Sequence, residues 1–383
     1  MGRRRVTGTL SSVVFSVTVL CIAASPIFAA PTYSITDLGT LGGTGSWAAG
    51  LNNSGQVAGY ANYSTAHGSV HAFLWSPGGT PTMTDITPTV SQSYGYGINN
   101  SGQVTGWTYR PSGLEEAFRY SAGTMDYLGT LQYHSLGHGI NDLGQVVGYS
   151  YLSASYPYPY HAFLYTDGTG MTDLGTMGGT FSCARDTNNL GQVVGYSYIN
   201  SITVHAFLRV GSTWQDLGTL PGWTNHSYAH SLNENGQVVG YSVNNTGNGH
   251  AFLWQNNAMT DLGTLGGSYS VAWGINGSGQ VVGWGNPVGD AAQHAFLWSE
   301  GSMVDLNTYV TGTGWTLNDA EGINDWGDIC GTGTNPDGKT HAYLLTRTDV
   351  NRDPTTVPEP SLAGLLLIAT VPALVVYRRR RRA

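Results

Sequence analysis

Charge is scarce in this chain. Only 10% of its 383 residues are Asp, Glu, Lys or Arg, against about 25% in an ordinary globular protein. That excludes a charge-rich disordered chain and a helical protein built on Ala, Glu, Lys and Leu. Positive charge is scarcer still in the body, because eight of the 15 basic residues are Arg3, Arg4, Arg5 and the run Arg378, Arg379, Arg380, Arg381 and Arg382. The remaining seven face 23 acidic residues, so the basic stripe that nucleic-acid binding requires is missing. Cysteine is nearly absent as well. Apart from Cys21 only Cys183 and Cys330 occur, far apart and at non-equivalent repeat positions, which speaks for two buried small hydrophobes rather than a disulfide framework. No G-x-S-x-G elbow, H-E-x-x-H zinc helix or phosphate-binding loop occurs. No catalytic residue, metal site or cofactor is expected on these grounds.

What the chain has in quantity is glycine, 55 residues, and aromatics, 11%, and both fall into internal repeats. Aligning on the Gly before Gln gives Gly55, Gly102, Gly144, Gly191, Gly236, Gly279 and Gly327. A second phrase, HAFLW, begins at His71, His161, His205, His250 and His294, with degenerate copies at Glu116 and His341. A third, TDLGTLGG, surrounds Asp37, Asp85, Asp126, Asp173, Asp216, Asp261 and Asp305. Each phrase recurs seven times, at a period in the range of blade-forming repeats.

Each unit parses into four short strands. The Asn-x-x-Gly phrase suits a type I turn with Gly in the left-handed position. Runs such as Gln280-Val281-Val282 and Phe296-Leu297-Trp298 are apolar without alternation, as in strands covered on both faces. The expected fold is therefore all-β, a β-propeller of seven four-stranded blades. The chain begins with a TDLG strand near Asp37 and ends with a HAYLL strand at His341, which elsewhere form one hairpin. Pairing the two termini would close the ring and remove an exposed edge. The small-residue column Ala48, Gly95, Gly137, Ala184, Ala229, Ala272 and Ala320 marks the first strand as the one at the crowded axis.

The repeated phrases resemble those of the bacterial extracellular HAF-repeat family over residues 33–346, departing at Glu116, Ile86-Thr87, Tyr343 and Asp328. The resemblance implies an exported repeat protein and carries no activity with it. The two ends agree. Residues 1–30 have the basic start, apolar run and small-residue exit of a secretory signal. Residues 358–383 read Pro358-Glu359-Pro360, an apolar stretch, then the arginine run and Ala383, an order that resembles the PEP-CTERM sorting signal. That resemblance implies a segment that sits transiently in the inner membrane, is cut by an exosortase-type enzyme, and belongs to a Gram-negative surface or secreted protein. The expected organisation is a signal over 1–30, the propeller over 31–347, a linker over 348–357 and the sorting signal over 358–383.

Three residue sets invite a chemical reading. In HAFLWQNNAMTDLG, a two-residue turn at Asn256-Asn257 puts Phe252 opposite Asp261 and His250 within a diagonal hydrogen bond of it. A pair repeated in nearly every unit reads as structural, since one active site needs one constellation. The Asn- and Asp-rich turns lack the spaced carboxylates and bidentate Glu of calcium loops and read as side chains bonding their own turn. Isolated acids such as Glu115, Glu116 and Glu321 would serve glycoside chemistry only if paired in space. The variable loops between second and third strands remain the best place for recognition. The segment after Gly144 brings Tyr149, Tyr151, Tyr156, Tyr158 and Tyr160, and neighbouring units bring Trp107 and Trp284, rings with polar tips that suit a sugar or a protein partner. The function expected is a non-enzymatic surface or matrix protein binding an exopolysaccharide or another surface protein, with a polysaccharide-active hydrolase or lyase as the alternative.

Overall fold

In the computed structural model the described residues are 31–64, 70–78, 81–110, 113–290 and 292–352. The two terminal signals, including Pro358, Glu359, Pro360 and Arg378 to Arg382, lie outside them. Among the described residues no helix is long and apolar enough to cross a membrane.

The 28 strands among the described residues form antiparallel four-stranded sheets, the expected all-β propeller. The first blade runs Ser46–Leu51, Val57–Asn62, Val70–Ser76 and Thr82–Asp85, each strand paired to the next. Five blades stand as separate sheets of four, and the blades of Ser182–Gly218 and Ser46–Asp85 are typical of them. Two others join into eight strands through a single parallel pair, Gly249 with Tyr269. The last blade is completed from the other end of the chain. Tyr33–Asp37 pairs antiparallel with Thr340–Arg347, Tyr33 opposite Arg347 and Asp37 opposite Tyr343. The expected closure by the terminal strands is thus present.

Apolar clusters fill the spaces between neighbouring blades. One joins Val239, Ala251 and Leu253 to Ala272, Ile275, Val281 and Phe296. Another joins Leu38, Cys330, Ala342 and Leu344 to Ala48, Val57 and Phe73 across the closure. The HAF phenylalanines Phe73, Phe118, Phe163, Phe207, Phe252 and Phe296, with Tyr343, are each 0% exposed, worth roughly 1.5–3 kcal/mol apiece. Cys183 and Cys330 are free and buried, as read.

Polar groups join the blades where apolar contact ends. A first-strand serine accepts from the HAF alanine N–H of the blade before it: Ser93 from Ala72, Ser182 from Ala162, Ser270 from Ala251. In the last blade, which lacks that serine, Asn307 bonds both N–H and C=O of Leu317. The turn asparagines form a second belt. Asn52 Oδ1 accepts from Ser54 N and Gln56 N of its own turn. Its Nδ2 donates to the carbonyl of Asn99, and the relay continues through Asn141, Asn188, Asn233, Asn276 and Asn324 back to Asn52, at 2.9–3.2 Å throughout. The local half of this bonding was expected; the blade-to-blade half follows from closing the ring.

The His–Asp pair is as read. Phe252 lies opposite Asp261, and His250 Nδ1 is 2.8 Å from Asp261 Oδ2. The same pair recurs as His71–Asp85, His161–Asp173, His205–Asp216, His294–Asp305 and His341–Asp37. Asp261 also accepts from Gly263 N. Burial alone would raise its pKa, but the bonds from His250 and Gly263 outweigh this and hold it below the usual carboxylate range. Glu116, standing where His is expected, instead accepts from Gly129 N and pairs with Arg110.

Candidate functional site in the axial channel

The first strand is innermost, but of the small-residue column only Ala48 is among the residues lining the axial cavity. A Cβ on Gly95 would meet Gly59 O at 2.8 Å, and one on Gly137 would meet Thr105 Oγ1 at 2.6 Å. These positions are small because the neighbouring blade's backbone passes against them. The axis is faced instead by the next residue. In every blade the ladder between first and second strands slips there: Ala48 pairs Gly59 while Gly50 pairs Ala58. The extra residue is Ala49, and its counterparts are Tyr96, His138, Arg185, His230, Trp273 and Glu321. A bulge of this kind re-aims one side chain out of the pleat, here toward the axis.

These bulge residues line a cavity of about 300 Å³ together with Ala48 and Tyr60. His230 and Trp273 stack with centroids 4.0 Å apart. Arg185 Nη1 lies 3.4 Å from both ring nitrogens of His138 and makes no ion pair with a described carboxylate. Burial first, and then the Arg185 charge, keep His138 and His230 well below the ordinary histidine range, which favours the neutral imidazole in both. Burial, and then Asp319 nearby, push the Glu321 carboxyl up, so it holds its proton more tightly than a free carboxyl. Two polar atoms in the wall, His230 Nδ1 and Trp273 Nε1, are buried without a hydrogen-bond partner. Buried polar atoms normally find one.

Around the bulge residues the first and second strands carry a funnel of rings, with Tyr60 6.4 Å from Tyr96, Tyr149 5.7 Å from His138 and Tyr241 5.5 Å from His230. Trp47 stacks on Tyr60 at 5.3 Å, Tyr94 on Trp107 at 4.7 Å, Tyr228 on Tyr241 at 4.9 Å and Tyr269 on Trp284 at 5.6 Å. Below, the Asn turns frame a further space of about 390 Å³ rimmed by Asn53, Asn100, Asp142, Asn189, Glu234 and Asp325.

The aromatic set expected on one variable loop is therefore divided. Trp107, Trp284 and Tyr149 are second-strand residues in the funnel wall, with Tyr149 5.7 Å from the His138 ring. Tyr151 and Tyr160 face each other in the ladder of Val146–Tyr151 with Tyr160–Thr166. Burial pushes the Tyr160 phenol up to about 12. Only Tyr156 and Tyr158 stand on the loop itself, 87% and 51% exposed, beside each other and away from the funnel rings. Five tyrosines on one loop is thus corrected to two, because the strands run on to Tyr151 and resume at Tyr160. Of the acids, Glu115 accepts from Tyr109 and Glu116 serves its own blade, while Glu321 reaches the axis. Among the described residues no group of three His, Cys, Asp or Glu is placed to hold a metal ion.

No family model and no curated protein matches this chain. Solved structures do match its fold. A puromycin-hydrolyzing peptidase of Mycobacterium tuberculosis is similar over 83% of this chain and 56% of its own, with 10% identity and a TM-score of 0.51. TolB of Acinetobacter baumannii covers 72% and 76% of the two chains at 10% identity and a TM-score of 0.42. A lectin of Aleuria aurantia covers 87% and 98% at 10% identity and 0.38. Such identities speak to fold alone.

Proposed function

We propose that this protein is a non-enzymatic, exported surface or matrix protein that binds a carbohydrate in its axial funnel. The observation that carries the reading is the bulge column. In a chain whose phrases repeat blade after blade, this position changes in character from blade to blade. Its residues converge on one cavity, at the lower end of the 300–1,000 Å³ usual for ligand sites, beneath rings suited to the faces of sugars. Export rests on the signal-like residues 1–30. Sorting by an exosortase-type enzyme rests on Pro358-Glu359-Pro360 and the arginine run. Glycan-array binding by the purified segment 31–357 tests the binding reading; binding that survives Tyr60→Ala with Trp107→Ala would move the site elsewhere. Intact-mass analysis of the protein from its native host tests the sorting reading, which expects everything after about Ser361 to be lost. Retention of Arg378 to Arg382 would make the tail a plain anchor.

A second reading, a polysaccharide hydrolase or lyase, is favoured by one observation. Asp319 and Glu321 lie on one strand, and burial raises both carboxyls, as general-acid chemistry uses. Release of reducing ends from a polysaccharide, lost in Glu321→Gln, would establish it.

A further inference from the structure

Resting on the reading of the axial cavity as a saccharide site, we infer that its ligand is an acidic sugar, a hexuronate unit whose carboxylate meets Arg185. The first ground is charge. Arg185 brings a permanent cation into the enclosed axis, and none of the groups facing it supplies the opposite charge. His138 touches it as a neutral ring, Cys183 bonds it as a thiol that burial keeps protonated, Tyr196 and Tyr96 are phenols, and Glu321 is biased toward its protonated form. A guanidinium away from bulk water and without a counter-charge is costly, and it has the fork that a planar carboxylate fits.

The second ground is the pair of orphaned atoms, which is independent of the charge. Trp273 Nε1 is a donor only and asks for an acceptor. His230 bonds the Ala272 backbone, and since Nδ1 has no partner that bond runs through Nε2–H to the carbonyl. Nδ1 is then a bare acceptor, which asks for a hydroxyl. One small rigid molecule must therefore bring a carboxylate, a hydroxyl that donates and an oxygen that accepts. A uronate ring has all three. An inorganic anion such as sulfate satisfies Arg185 but offers His230 no proton, and a neutral hexose leaves Arg185 uncompensated. The cavity of about 300 Å³ suits one sugar ring and not a chain, so a polymer would enter by its end or by a side branch, through the ring-lined funnel.

The test is calorimetric titration of the purified full chain with methyl galacturonate glycoside, with the methyl galactoside and sodium sulfate titrated in parallel. The uronate is expected to bind at least tenfold more tightly than either control. Arg185→Gln should abolish that preference, and Trp273→Phe, which keeps the ring and loses the N–H, should weaken uronate binding several-fold. Tyr156→Ala, on the loop, should change nothing. Equal binding of uronate and neutral sugar, unaffected by Arg185→Gln, would overturn this inference and leave the saccharide reading standing. Sulfate binding as tightly as the uronate would overturn it in favour of a simple anion site. Binding of none of the sugars would remove both. Should Arg185→Gln fail to fold, Trp273→Phe decides, since an unchanged uronate affinity in that variant contradicts the assignment.

Discussion

His250 and His230 stand 20 residues apart on the third and first strands of one blade and have opposite fates. His250 belongs to a phrase written again in almost every blade, and it meets the Asp261 carboxylate at 2.8 Å. His230 belongs to no phrase. It occupies a bulge, stacks on Trp273 of the next blade and leaves Nδ1 buried and unbonded. The lesson extends across the molecule. Residues that recur are engaged with one another and hold the ring, whereas the variable bulge column leaves His230 Nδ1 and Trp273 Nε1 with unmet bonding capacity.

That contrast can be broken most severely at the closure. Deleting Tyr33–Asp37 removes a five-residue ladder, the His341 and Asn335 bonds to Asp37, and the packing of Tyr33 and Ile35. Two apolar side chains at about 1.5–3 kcal/mol each put the loss near 3–6 kcal/mol, and calorimetry should show one lower transition for the whole ring. Loss of a single separable unit, with the rest melting as before, would contradict a closed ring.

Next comes the asparagine belt. Asn188→Ala removes the bonds of Nδ2 to Gln192 and the Asn233 carbonyl and those from Leu190 N and Gln192 N to Oδ1. It should cost about 2–4 kcal/mol in denaturant melts, because buried partners are orphaned. A loss below about 0.5 kcal/mol, the range of an ordinary surface change, would mean that the belt is incidental.

The His–Asp pair should matter less, roughly 0.5–1.5 kcal/mol for His250→Ala, the net worth of one hydrogen bond. It has a pH signature. The Asp261 carboxyl is held below its unfolded value, so its contribution is present above about pH 4, near the value of a free aspartate, and is lost as pH falls through the folded value. Melts at pH 6 and pH 3 should therefore converge for wild type and variant in acid; a difference that grows in acid would reverse the sign.

The smallest effect sharpens the correction to the tyrosine loop. Tyr156→Ala with Tyr158→Ala should shift stability by no more than about 0.5 kcal/mol. Adding Tyr160→Ala should cost a further ~1–3 kcal/mol, since that ring packs on Tyr149 and Phe181. An equal cost for all three positions would return Tyr160 to the loop.

The frame was legible because repetition multiplies weak signals. One Asn-x-x-Gly turn is common, but recurring copies in step with HAF and TDLG phrases disclose blade, turn and hairpin at once. The complementary phrases at the two ends disclosed the closure. The axial column was hidden for the same reason. Aligning copies rewards agreement, and Ala49, Tyr96, His138, Arg185, His230, Trp273 and Glu321 share no common residue, histidine alone appearing twice. Their direction was hidden as well, because a bulge breaks the two-residue period by which faces are assigned. The small neighbours Gly95 and Gly137 were then read as axial, when their size answers to the adjoining blade. A signal was available in the contrast itself, since charged and aromatic residues at a single position amid repeats mark a place under a different demand.

The central claim is that the recurring residues build and the non-recurring bulge column binds. A crystal structure of the protein soaked with methyl galacturonate glycoside tests it most directly. The account predicts one sugar in the axial cavity, its carboxylate on the Arg185 guanidinium, one hydroxyl on His230 Nδ1 and an oxygen on Trp273 Nε1. A sugar lodged on the Tyr156–Tyr158 loop, with the axial cavity holding only solvent, would contradict it.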